Sequence, residues 1–183
     1  MSWDIDRSHT SIEFSARHMM VTRVKGRFDR WSGTVNFDEK DPTRSSVEVE
    51  VDVASINTSE PQRDAHLRSP DFFDAEKSPV MTYKSRRVER HGDRYRVIGD
   101  LTIRDITREV PLDVEFAGLA TDPYGNARAG FSATASLSRK DFGLRWNMPL
   151  EAGGWVVGDT VNISIDAELV KKATVPAAEK QTA

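Results

Sequence analysis

With 183 residues, a formal net charge of −3 and no cysteine, the chain has the size of one domain able to bury its own core. The lack of cysteine excludes disulfides, thiolate nucleophiles and cysteine-ligated zinc or iron–sulfur centres. The small, dispersed charge argues against a nucleic-acid footprint, and no apolar run reaches the roughly 18 residues that a spanning helix needs.

Met1-Ser2-Trp3-Asp4-Ile5-Asp6 has neither the basic nor the apolar stretch of a signal peptide. A cytoplasmic location is therefore expected, or a periplasmic one if a leader has been removed. Beyond it, apolar residues recur at every second position, the period of a half-buried strand. SIEFSARH sets Ile12, Phe14, Ala16 and His18 on one face, against Glu13, Ser15 and Arg17. Val24, Gly26 and Phe28 continue the pattern, followed by Gly33, Val35 and Phe37. The clearest case is SVEVEVDVAS, with Val47, Val49, Val51 and Val53 opposite Glu48, Glu50 and Asp52.

The stretch PQRDAHLRSPDFFD interrupts this period. Ser59 suits an N-cap, Pro61 tolerates the first turn and Pro70 ends the run, so a short helix is predicted from Glu60 to about Ser69. Arg63, His66, Leu67 and Pro70 would share one side, while Asp64 and Arg68 would form an i, i+4 pair on another. Phe72 and Phe73 follow and require an apolar site.

Alternation then resumes in PVMTYKSRRVER, in RYRVIGDLTI, in Val110 to Phe116, in Ala129 to Leu137 and in Val161 to Leu169. Residues 139–159 form a long connection bearing Trp146 and Trp155, of the kind that covers functional sites. The final stretch, residues 171–183, has no apolar face and reads as a disordered tail behind a domain of residues 1–170. About eight antiparallel strands allow either a two-sheet sandwich or a closed barrel. Inward-facing small residues (Ala16, Gly26, Gly99, Ala129, Ala133, Ala135, Ala167) leave volume for large neighbours or for a ligand.

Catalytic equipment is sparse. Asp64 and His66 lie two apart and cannot face each other on a helix. No G-x-S-x-G, H-E-x-x-H, P-loop or G-x-G-x-x-G motif occurs. His9, His18, His66 and His91 are far apart in sequence, so a metal site would need tertiary assembly. The charged segment therefore reads as a cover over one barrel end. His18, at a strand end, is either a hydrogen-bonded core residue or a head-group contact, with Met19 and Met20 as adaptable apolar contacts beside it.

Four stretches in order carry a family pattern: WDIDRSHTSIEFSARHMMVTRVKGRF, SINTSEPQRDAHLRSPDFFD, GDLTIRDITREVPLDV and LSRKDFGL. Over roughly residues 2–170 the chain resembles the YceI-like family, lipocalin-like polyisoprenoid-binding proteins. The resemblance implies an all-β, extended eight-stranded antiparallel barrel with a helical segment near residues 60–69, and an apolar pore for a polyisoprenoid or similar amphiphile. It also implies no catalytic activity, and the family's usual form suggests a homodimer. Asp105 stands where the family pattern leads one to expect glycine.

Combined with alternation, this makes Phe14, Met19, Met20, Val24, Phe28, Leu67, Phe72, Phe73, Leu101, Phe131 and Trp146 the expected pore residues. His18, Arg63, His66, Arg139 and Asp141 are the expected head-group contacts. The expected function is non-catalytic carriage or storage of a polyisoprenoid or isoprenoid-quinone-type lipid. That lipid would be the ligand, with no other cofactor, no metal and no nucleic-acid partner. Two alternatives are another amphiphile, such as a fatty acid or fatty amide, and a barrel enzyme using His18 or His66 as general base.

Overall fold

A computed structural model describes residues 2–171. Eleven strands form one antiparallel sheet: β1 (Asp4–Ile5), β2 (Ser11–His18), β3 (Thr22–Phe28), β4 (Trp31–Asn36), β5 (Ser46–Asp52), β6 (Ile56–Asn57), β7 (Val80–His91), β8 (Arg94–Ile103), β9 (Ile106–Thr121), β10 (Ala127–Ser138) and β11 (Val157–Lys171). The order is β4-β5-β7-β8-β9-β10-β11-β2-β3-β6, with β1 added to β11. The all-β expectation holds, but eight strands is an undercount. Two of the missing strands, β1 and β6, are two residues each, too short to show a period; the other nine all fall on stretches that alternate, one more than the count of about eight. Lys171, placed in the tail from sequence, is the last residue of β11; residues 172–183 of that expected tail lie outside the described residues.

Sequential hairpins build the sheet from β7 to β11, and the sheet curls into a barrel with its apolar faces inward. The seam falls between β3 and β4, which do not pair among the described residues. Side chains close it. Ile5 of β1 packs where Gly33 of β4 lacks a Cβ, which would lie 3.0 Å from the Ile5 Cδ1. Arg7 donates to the Trp31 carbonyl and sits 5.5 Å from the centre of its ring.

One helix, α1 (Pro61–Arg68), follows β6. Its N-cap is Glu60 and not Ser59: the Glu60 carboxylate accepts from the backbone N–H groups of Gln62 and Arg63. Ser59 instead takes a left-handed φ of 63° at the turn into the helix. Asp64 does not use its carboxylate on Arg68. It is buried and accepts from the backbone N–H and hydroxyl of Thr58, which pins the helix to the end of β6.

The opposite end is held by an ionic knot. Arg128 of β10 donates to Asp6 after β1, to Asp122 in the β9–β10 turn and to Glu168 of β11. Asp122 also accepts from the backbone N–H groups of Asn126 and Tyr124; these bonds, the Asn126 one foremost, hold its pKa down at about 2. The Ser8 hydroxyl, then His9 and Arg128, depress Asp6 still further. A depressed carboxylate stabilises the fold above its unfolded pKa and loses that contribution as pH falls through its folded value. Urea midpoints are therefore expected to fall as pH drops from the ordinary 3.8 towards about 2, and Arg128→Met should flatten that slope.

Candidate functional site

The barrel encloses a cavity of about 360 Å³, in the range of roughly 300–1,000 Å³ usual for small-molecule sites. It runs from Ile5 and Leu169 at one end to Phe72 and Leu144 at the other. Its wall is made of alternate residues from the curled sheet, such as Val49 on β5, Val97 on β8, Leu112 on β9 and Ile163 on β11. These side chains are only half-buried although they point inward, because they face open space and not one another.

Two pairs keep that space open. Phe14 lies across Gly26 on the neighbouring strand, where a Cβ would come within 2.4 Å of the ring. Tyr83 likewise lies over Gly99, with the ring 2.5 Å from where a Cβ would be. Each glycine lets an aromatic ring lie flat on the wall instead of pointing along the barrel axis. The Tyr83 hydroxyl donates to the Val110 carbonyl at 2.9 Å, and burial pushes its pKa well above the ordinary value of 10.0.

The ends are plugged by aromatic rings. At one, Phe37 meets Trp3, Phe116 and Phe131 edge-on at 5.2–5.6 Å. At the other, Phe73 meets Phe28 edge-on at 6.1 Å, and Leu67 of α1 and Phe72 line the cavity. Charge on the wall is almost absent. Glu13 is exposed and alternates with the inward Ile12 and Phe14. Arg139 is buried, and its guanidinium donates to the carbonyls of Gly158, Leu144, Trp146 and Val157.

A family model for the YceI-like domain matches residues 3–169. The chain belongs to the YceI-like family. A UPF0312 protein of Pseudomonas aeruginosa (strain LESB58) is 37% identical over 145 residues, covering 79% of this chain and 76% of the relative. The YCEI protein of Campylobacter jejuni superposes with a TM-score of 0.72 at 30% identity, covering 86% of this chain and 90% of that one. A polyisoprenoid binding domain from Saccharophagus degradans shares the fold at a TM-score of 0.63 and 14% identity, covering 94% and 99%.

Within this YceI-like barrel, Phe14, Phe28, Leu67, Phe72, Phe73, Leu101 and Phe131 line the cavity. Met19, Met20, Val24 and Trp146 do not. Met19 and Met20 lie past the end of β2, in an exposed turn where strand alternation no longer sets direction. Val24 lies on β3 opposite Ala16, where β3 has no second neighbour because β6 reaches only Arg27 and Phe28. Trp146 packs outside the plug, against His66 at 4.6 Å and Phe72 at 5.5 Å.

Of the expected head-group contacts, only Arg139 reaches the wall, and its donors are engaged by backbone carbonyls. Arg63 donates to the hydroxyl and carbonyl of Thr58. His66 pairs with Asp71 at 2.8 Å, a partner five residues on that the helical spacing did not suggest. His18 sits at the end of β2 between Thr22 and Val157, and Asp141 is exposed on the short turn after β10. Tyr83 was missed; its place over Gly99 depends on the β7–β8 pairing register, which pairs Tyr83 with Leu101 and Ser85 with Gly99.

Among the described residues, Asp6, His9 and Glu168 bring ligand-type atoms within 4.8 Å of one another. The Arg128 guanidinium already supplies the cation between these carboxylates.

Proposed function

We propose that the protein carries or stores a polyisoprenoid or isoprenoid-quinone-type lipid, without chemical change, in its barrel. The observation that carries this reading is a long, largely apolar cavity in which two of the polar side chains on the wall, Tyr83 and Arg139, already have backbone partners. Such a wall recognises hydrocarbon length and shape. Each buried CH₂ contributes about 0.8 kcal/mol, so a long tail binds tightly without polar contacts. A fatty acid fits less well, because a carboxylate inside would find the Arg139 guanidinium occupied. The Saccharophagus degradans domain, a polyisoprenoid binding domain of the same fold, supports the choice of lipid class. Non-catalytic action is supported by His18 and His66, neither of which lines the cavity.

Organic extraction of purified protein followed by mass spectrometry is expected to release a neutral isoprenoid, and stripped protein should take up a prenyl quinone. Protein that comes empty and refuses prenyl lipids would sink the proposal; a co-purified fatty acid would transfer it to another amphiphile.

A further inference from the structure

Away from the cavity, exposed apolar side chains gather at one tip. Met19 and Met20 join β2 to β3 with φ of 51° and 61°, in a tight turn closed by the Val21 N–H donating to the His18 carbonyl. Two successive left-handed residues favour Asn-Gly, yet two methionines stand here. Met19 is 45% exposed, Met20 63% and Val21 78%; Met148 and Trp155 are 54% and 55% exposed. The loop between β10 and β11 brings the last two alongside. The Met19 N–H donates to the Val156 carbonyl, the Val156 N–H donates to the Met148 carbonyl, and Pro149 pairs with Trp155. Gly154, at φ 94°, makes room for the Met20 sulfur, which a Cβ would approach to 2.3 Å.

Cations surround this patch. Arg17 and Arg23 stand directly opposite each other across the hairpin, Lys25 follows along β3, and Arg145 opens the loop. None of the four makes an ion pair among the described residues. Like charges directly opposed on a sheet are destabilising, so Arg17 and Arg23 gain from an anionic surface. Glu151 is the acidic residue between Met148 and Trp155.

We propose that this tip docks on an anionic lipid bilayer. Tryptophan prefers the headgroup level, methionine adapts to irregular apolar surroundings, and basic residues beside the apolar part bind acidic headgroups. A second copy seated tip to tip would set arginines against arginines, which disfavours self-association at this face. Docking would bring the α1 end of the cavity near the membrane. The tip loop connects there through the Arg139 bonds to Trp146 and Val157 and through the packing of Trp146 on His66 and Phe72. The proposal rests on surface residues alone and stands whatever the cavity holds.

Flotation of the full chain with phosphatidylcholine vesicles, with and without phosphatidylglycerol, tests it. Binding is expected with phosphatidylglycerol only, weakened by salt, with a blue shift of Trp155 emission. Arg17→Gln and Arg23→Gln should each weaken partition about fivefold, and Val21→Glu by roughly tenfold or more, since it places a charge at the apolar contact. All three positions are exposed, and the two glutamine variants relieve the Arg17–Arg23 repulsion, so melting temperatures should not fall and loss of binding cannot be assigned to unfolding. Wild-type protein that ignores anionic vesicles overturns the proposal, as does partition that all three variants retain. A wild-type dimer in light scattering that Val21→Glu converts to monomer also overturns it, because the occupant would then be a second copy.

Discussion

Gly99→Ala is expected to destabilise the barrel by about 2–4 kcal/mol, combining overpacking with a lost buried hydrogen bond, and to abolish lipid uptake. A Cβ at this position would meet the Tyr83 ring at 2.5 Å, its hydroxyl at 2.6 Å and the Lys84 carbonyl at 2.8 Å. The carbonyl belongs to the adjoining strand and cannot yield cheaply. The ring can yield only by swinging off the wall, which breaks the hydroxyl's bond to Val110 and fills the lumen. Gly26→Ala differs in kind. The atoms in its way are the far end of Phe14 at 2.4 Å and a Thr58 methyl at 2.9 Å, so about 1–3 kcal/mol suffices while the displaced ring still narrows the cavity. Gly130→Ala is the control, because its Cβ would meet only Ala117 at an ordinary 3.4 Å. Urea midpoints read against uptake of a prenyl quinone decide the matter. If Gly99→Ala keeps full uptake and wild-type stability, the rings do not hold the lumen open.

These pairs show what was legible in the sequence. Period two located every strand of six residues or more, because a half-buried sheet enforces it. It could not show that the sheet closes round an open interior. Small inward residues suggested spare volume, but Gly26 and Gly99 act by accepting a ring, and Ala129 is fully buried beside Trp3 and Phe37. Pairing register decides which of these roles a small residue plays, and register is absent from a single sequence. Alternation also failed where strands end. It carried His18 inward and left Met19 and Met20 beside it as expected pore contacts, whereas the left-handed turn aims the methionines at solvent. On the helix, spacing set Leu67 towards the cavity correctly, yet it could not foresee that Thr58 would engage both Arg63 and Asp64.

Arg139 is the position where sequence and structure differ most in consequence. A cation on an apolar wall invites assignment to a lipid head group, but its exposure is 3% and its donors point to the β10–β11 loop and the first residues of β11. The Nη1 group donates to the Leu144 carbonyl at 2.6 Å and the Trp146 carbonyl at 2.9 Å, while Nε donates to the Gly158 carbonyl at 2.9 Å. Burial pulls its pKa below the ordinary 12.5, and Asp159 opposes that. Arg139→Met conserves the apolar stem and leaves these carbonyls without the guanidinium, which is expected to cost about 3–5 kcal/mol. Arg139→Lys should recover only part of this, because a single ammonium cannot match the geometry of a planar fork. Hydrogen exchange at residues 144–157 should rise in both variants as the loop detaches from the barrel end. A head-group role predicts the reverse pattern, in which Arg139→Met melts like the wild type with its loop protected and loses only lipid affinity.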